Sequence, residues 1–192
     1  MAGTPLLDQL RNGDRRSIGR ANAVARQVLR TPRRLPELAA GLWHPDPLIR
    51  MRAGDALEKV SQARPGWLIP LRVELLKLAQ STEEQEARWH LAQILPRLRL
   101  RRVQRMALVT LLRRYGQDRS AIVRVSALQA LAEVAAGDSA LWQAVRRQLQ
   151  GALKQGSAAE RARARRLLGA SAAQPAHAAD GGPRLVAATT AG

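Results

Sequence analysis

The chain has 192 residues, 46% of them apolar, enough for one domain with a substantial shared core. No run approaches the roughly 20 consecutive apolar residues of a membrane span, and no hydrophobic stretch of the signal-peptide kind follows Met1. The formal net charge is +17 and cysteine is absent, which excludes disulfides and thiolate chemistry and makes a reducing cytoplasm the expected location.

Residues 1–14 are expected to form a flexible N-terminus. Residues 15–30 carry Ile18, Ala21, Ala25, Val28 and Leu29 near helical spacing, until Thr31-Pro32 breaks the pattern. This predicts a capping helix. A first helix pair follows at about 33–43 and 47–61, joined by His44-Pro45-Asp46-Pro47, where Pro47 suits the first helical position. Pro65-Gly66 ends that unit. The second pair is predicted at about 67–80 and 82–98, with Ser81 or Thr82 as N-cap and Glu83, Glu84 and Glu86 at the positive helix end. The third covers about 101–115 and 120–136, divided at Gly116-Gln117-Asp118. The fourth covers about 139–154 and 158–169, divided at Gly156-Ser157. Residues 171–192, rich in Ala, Gly and Thr without periodicity, are expected to be a disordered tail.

An internal echo links the second helices. Arg50, Arg88, Arg124 and Arg163 recur at a period near forty residues, each after a small or branched apolar residue: Ile49, Ala87, Val123 and Ala162. In the first three copies, apolar residues return three, six, seven and ten positions later, as in Ala53, Ala56, Leu57 and Val60. The fourth copy is degraded, with Arg166 at the three-position. Such a period marks a stacked helical array, in which each unit buries its apolar face only against its neighbours.

The turn acid followed by an apolar-Arg step resembles the HEAT-repeat family: Asp46 with Ile49-Arg50, Asp118 with Val123-Arg124, and more loosely Glu83 and Glu84 with Ala87-Arg88. The resemblance covers roughly residues 33–169. The segment from Arg88 to Arg97 also resembles bacterial HEAT proteins without an assigned role. It implies an all-α, right-handed α-α superhelix, a HEAT-like solenoid of about four helix pairs over residues 15–170 with the capping helix in front. It also implies a ladder of structural Asp–Arg contacts, so Arg50, Arg88 and Arg124 are not counted as ligand contacts.

The family's second helices line a concave face. Opposite the apolar arc of those helices lie Met51, Trp89, Val125 and Ala164, and one turn on Asp55, Gln93, Gln129 and Leu168. The expected function is a non-enzymatic scaffold that binds another protein through Met51, Trp89, His90, Gln93, Val125 and Gln129, with Trp89 as anchor. The competing role for Trp89 is packing against a neighbouring repeat.

Nucleic-acid backbone binding is the alternative. Of 32 basic residues 29 are Arg, a bias that a GC-rich genome yields without selection for a ligand, so distribution says more than the total. Residues 1–34, 99–117 and 139–170 carry +6 each, whereas 35–98 are neutral. The candidate phosphate contacts are Arg99, Arg101, Arg102, Arg105, Arg161 and Arg165, although no aromatic residue interleaves them for base stacking. An enzyme on a HEAT-like array, as in alkylpurine DNA glycosylases or phycobilin lyases, is the least supported reading because no active-site segment of either is recognisable. His44, His90 and His177 lack a second ligand at metal spacing. No cofactor, metal, membrane or small-molecule substrate is expected.

Overall fold

A computed structural model of the chain describes residues 5–11 and 17–172. Among these there is no strand. The helices are α1 (Ala21–Arg30), α2 (Leu35–Ala40), α3 (Pro47–Ala63), α4 (Arg72–Ser81), α5 (Gln85–Ile94), α6 (Arg102–Tyr115), α7 (Ala121–Val134), α8 (Ser139–Gln155) and α9 (Ala158–Ala172). Short 3-10 turns at Pro32–Arg34, Gly41–Trp43, Pro65–Leu71 and Leu95–Arg97 extend several of them. Pro32, Pro65 and Pro96 sit in the first turn, where a missing N–H is tolerated, whereas Pro70 lies inside its turn.

The second helices form one layer in chain order: α1 packs on α3, α3 on α5, α5 on α7 and α7 on α9. The first helices lie against their partners, with α4 on α5, α6 on α7 and α8 on α9. Small residues permit the close approach in the second-helix layer. Ala53, Ala127 and Ala164 stand in it, with Leu91 at the equivalent place in α5, all essentially inaccessible to solvent. Leu57, Ile94, Leu95 and Leu131 then fill the space toward the first helices in a single continuous core.

Several boundaries differ from the sequence expectation. The capping helix begins at Ala21, six residues late, and Ile18 stays exposed outside it. Residues 5–11 are not a loose N-terminus, because Leu6 and Leu10, beside a turn at Asp8–Leu10, are fully buried in the core. Ser81 closes α4 instead of capping α5, whose cap position is Glu84; Thr82 Oγ1 accepts a bond from the Glu84 N–H at 3.2 Å. Residues 171 and 172 belong to α9, and the rest of the expected tail, with His177, lies outside the described residues.

The repeated Arg residues do form a ladder, with one change of membership. The backbone N–H of Arg50 bonds to Asp46 O, that of Arg88 to Glu84 O, that of Arg124 to Ser120 O and that of Arg161 to Ser157 O. All four therefore occupy the fourth position of their helix. The fourth copy is Arg161, not Arg163. Counting from Arg161 restores the pattern, with Ala164 three residues on and Leu167 and Leu168 at six and seven.

Each of the first three ladder guanidiniums ties its own turn to the next. Arg50 Nη1 donates to the Pro45 carbonyl at 2.8 Å, and its Nε donates to Glu84 Oε2 at 3.0 Å. Arg88 donates to Thr82 O at 2.9 Å and to Asp118 Oδ2 at 2.6 Å. Arg124 donates to Asp118 O at 2.7 Å and grips both carboxylate oxygens of Glu160 at 3.0 Å. The fork geometry of Arg makes this double duty possible. The Arg124 bonds hold the Glu160 carboxyl down at about 2 despite its burial, helped by the Ser157 hydroxyl and N–H. At Asp118 burial works in the opposite sense, yet the Ser120 N–H and Arg88 keep its carboxyl below the usual range. Arg161 completes only half a rung, donating to Gly156 O at 2.6 Å.

Candidate functional site

Corrected register changes which side chains stand on the second-helix face. Ala164 is fully buried, and Ala162 takes its place beyond Met51, Trp89 and Val125. Arg166 likewise replaces Leu168 in the row with Asp55, Gln93 and Gln129. On this face lies a hollow of about 300 Å³, spanning α3, α5, α7 and α9 and lined chiefly by polar side chains.

Three of the six predicted partner-binding residues meet there: Gln93, Val125 and Gln129. Met51 and Trp89 are half-buried outside it, and Trp89 packs onto the core with its ring 5.1 Å from that of His90. Packing onto the core thus accounts for much of Trp89. His90 is a correction. It is 6% exposed, and its ring lies against Gly54 of α3, where an added Cβ would sit 3.1 Å from Cδ2. It is an internal residue, not a surface contact.

Burial pushes the His90 imidazole down to about 4, outweighing Asp55 and Glu58, which favour the charged form. Its Nδ1 is buried without a hydrogen-bond partner. The folded state therefore resists a proton that the unfolded chain accepts near pH 6.5. Since the folded value is depressed, stability is intact above about pH 6.5 and falls as pH drops toward 4. Urea melts are expected to show a loss of roughly 2–3 kcal/mol between pH 7 and pH 4.5, and His90→Gln to flatten that slope. An unchanged midpoint across the interval would contradict the neutral buried imidazole.

The hollow's charge is unevenly distributed. At the α3 side Glu58 is paired with Arg97 at 2.7 Å, and Gln62 donates to the same carboxylate at 2.6 Å. At the α9 side Arg163 Nη1 donates to the amide oxygen of Gln129 at 2.6 Å, while Gln129 Nε2 donates to Glu133 at 2.8 Å. Desolvation, then the neighbouring Arg166 charge, pull the Arg163 guanidinium below its ordinary value, with Glu133 opposing them. Both Arg163 and Arg166 were missed as site residues, because the displaced register assigned them to the ladder and its apolar row.

The six basic residues of the alternative are scattered. Arg99, Arg101 and Arg102 are exposed around the entry to α6, and Arg165 is exposed on α9. Arg105 instead pairs with Asp138 at 2.6 Å, and Arg161 holds Gly156 O. Neither of those two guanidiniums is left wholly to solvent. A second hollow, of about 400 Å³, lies on the first-helix layer beside Trp43, Glu74, Lys77, Leu78 and Ser81. Trp43 is 50% exposed. No sequence signal marks it, since it merely ends a helix before a Pro-rich turn. Among the described residues no helix is long and apolar enough to cross a membrane. Compared with protein-family models, curated proteins and solved structures, the chain finds no match.

Proposed function

We propose that the protein is a non-enzymatic scaffold, a HEAT-like right-handed superhelix whose second-helix face holds a segment of a partner protein. The observation that carries this is the hollow shared by four successive second helices, in which Gln93, Val125 and Gln129 converge. Its amide-rich lining offers donors and acceptors suited to a peptide backbone. Glu58 and Glu133 in the same lining disfavour a polyanion at this face, and two of the six Arg proposed for nucleic acid already bind this chain's own carboxylate or carbonyl.

The test is site-specific photo-crosslinking in cells. A photoreactive residue at Gln129 is expected to trap a discrete, nuclease-resistant protein adduct, while one at the exposed Thr110 of α6 traps none. Equal labelling from both positions, or adducts that vanish with nuclease, would reject the groove as the binding face.

A further inference from the structure

Three of the four ladder guanidiniums receive a carboxylate from the next turn: Glu84 for Arg50, Asp118 for Arg88 and Glu160 for Arg124. The α9 end of the hollow breaks that habit. Arg163 receives a neutral amide oxygen, and the nearest acid, Glu133, is bonded by the Gln129 amide. Arg166 stands three residues further on the same helical face and has no carboxylate or carbonyl of its own among the described residues. Two cations therefore border one concavity whose nearby acid, Glu133, already accepts from the Gln129 amide. That is the arrangement of an anion seat.

We infer that Arg163 and Arg166 form a seat for one carboxylate, an Asp or Glu side chain of an extended partner segment lying across Gln93 and Gln129. The inference rests on the groove reading above and names the chemistry of its occupant. A peptide acid fits better than a nucleic-acid strand. One carboxylate satisfies the two guanidiniums, whereas successive phosphates would run along the hollow toward Glu133 and Glu58. Arg suits the task because its planar fork accepts a carboxylate through paired N–H bonds. The depressed Arg163 value agrees with two cations held together in a partly desolvated place.

The full-length protein, labelled at Gln side chains, is titrated at 0.15 M salt with a blocked Gly-Ser peptide carrying a central Glu. The same peptide with Gln, inorganic phosphate and a (dT)12 strand serve as comparisons. The Glu peptide is expected to shift the Gln93 and Gln129 amide signals saturably. Arg166→Gln, a change at an exposed side chain, is expected to weaken that binding about 5- to 10-fold, and Arg163→Gln similarly. Arg113→Gln, outside the hollow, is expected to stay within about two-fold.

Equal binding of the Glu and Gln peptides, or indifference to Arg166→Gln, overturns the seat. Tighter displacement at these signals by (dT)12 or by phosphate overturns the peptide assignment. Failure here with successful crosslinking at Gln129 removes the seat and leaves the groove. Failure of both removes both.

Discussion

Arg88→Met is expected to lower stability by about 3 kcal/mol, whereas Arg161→Met costs less than about 0.5 kcal/mol. The two residues share one helical position, so helix propensity is matched, and the difference reports chiefly on what each guanidinium touches. Arg88 bonds Asp118, whose side chain is 4% exposed, and lies 5.7 Å from the centre of the Tyr115 ring. Tyr115 is itself fixed by its hydroxyl, which donates to Ala79 O at 2.5 Å. Removing Arg88 strands a buried carboxylate that keeps the Ser120 N–H at 2.8 Å but loses its counter-ion. Arg161 strands nothing charged. Urea denaturation followed by circular dichroism measures both. The Arg88 penalty should also shrink below about pH 4, because the depressed Asp118 carboxyl contributes stability above its unfolded value and loses it as the proton returns. Equal penalties for the two variants would mean that the inter-turn rungs carry no stability.

Much of the architecture was legible because turn chemistry punctuates it. Asp46 caps α3 through the Leu48 N–H at 2.9 Å and Pro47 opens that helix, as the local sequence requires. The fourth ladder register was not, for a definite reason. In the Ala-Arg alternation from Ala158 to Arg166 both Arg161 and Arg163 suit a ladder, and the requirement for a preceding apolar residue selected Arg163. In the structure that preceding slot belongs to Glu160, which is buried as the partner of Arg124. Spacing to Ala164, Leu167 and Leu168 was the better guide, since burial fixes register more firmly than the identity of one neighbour.

His90 was misplaced by a related error. A single amphipathic stripe is too narrow for a helix packed on both sides. Two positions after the ladder Arg stand Arg52, His90 and Ser126, all buried. One position after it stand Met51, Trp89 and Val125, half-buried. A 100° step thus separates the inside of the layer from its rim. Arg105 illustrates what local reading misses altogether. It too occupies the fourth helical position, with its N–H bonded to Arg101 O at 2.9 Å, and its acid Asp138 is the N-cap of the following first helix. One such inter-turn pair thus also occurs in the other layer, and an Arg placed in an apparently free basic cluster serves the fold.

Arg52→Met is expected to detach the N-terminal strap at a cost of about 3–4 kcal/mol. Arg52 is fully buried. Its Nη1 donates to Leu10 O at 2.7 Å, and its Nε and Nη2 both donate to Ser17 O at 3.2 Å. The chain wraps closely around this guanidinium at Gly19, where φ is +51° and an added Cβ would lie 2.7 Å from Cζ. Only glycine meets both conditions, the left-handed backbone and the room. Methionine fills the stem's volume but leaves two carbonyls without their donor, so the segment regains water by lifting away, and Leu6 and Leu10 leave the core with it. Lysine should not rescue, because one ammonium on a flexible stem does not reproduce a planar fork spanning Leu10 O and Ser17 O. Hydrogen exchange localises the effect: protection should be lost in residues 6–10 and in α1, whereas α5 and α7 keep theirs and the helical circular dichroism falls only slightly. Uniform loss of protection along the chain would instead make Arg52 a support of the whole core, and unchanged protection at Leu10 would show that the strap is held by its leucines alone.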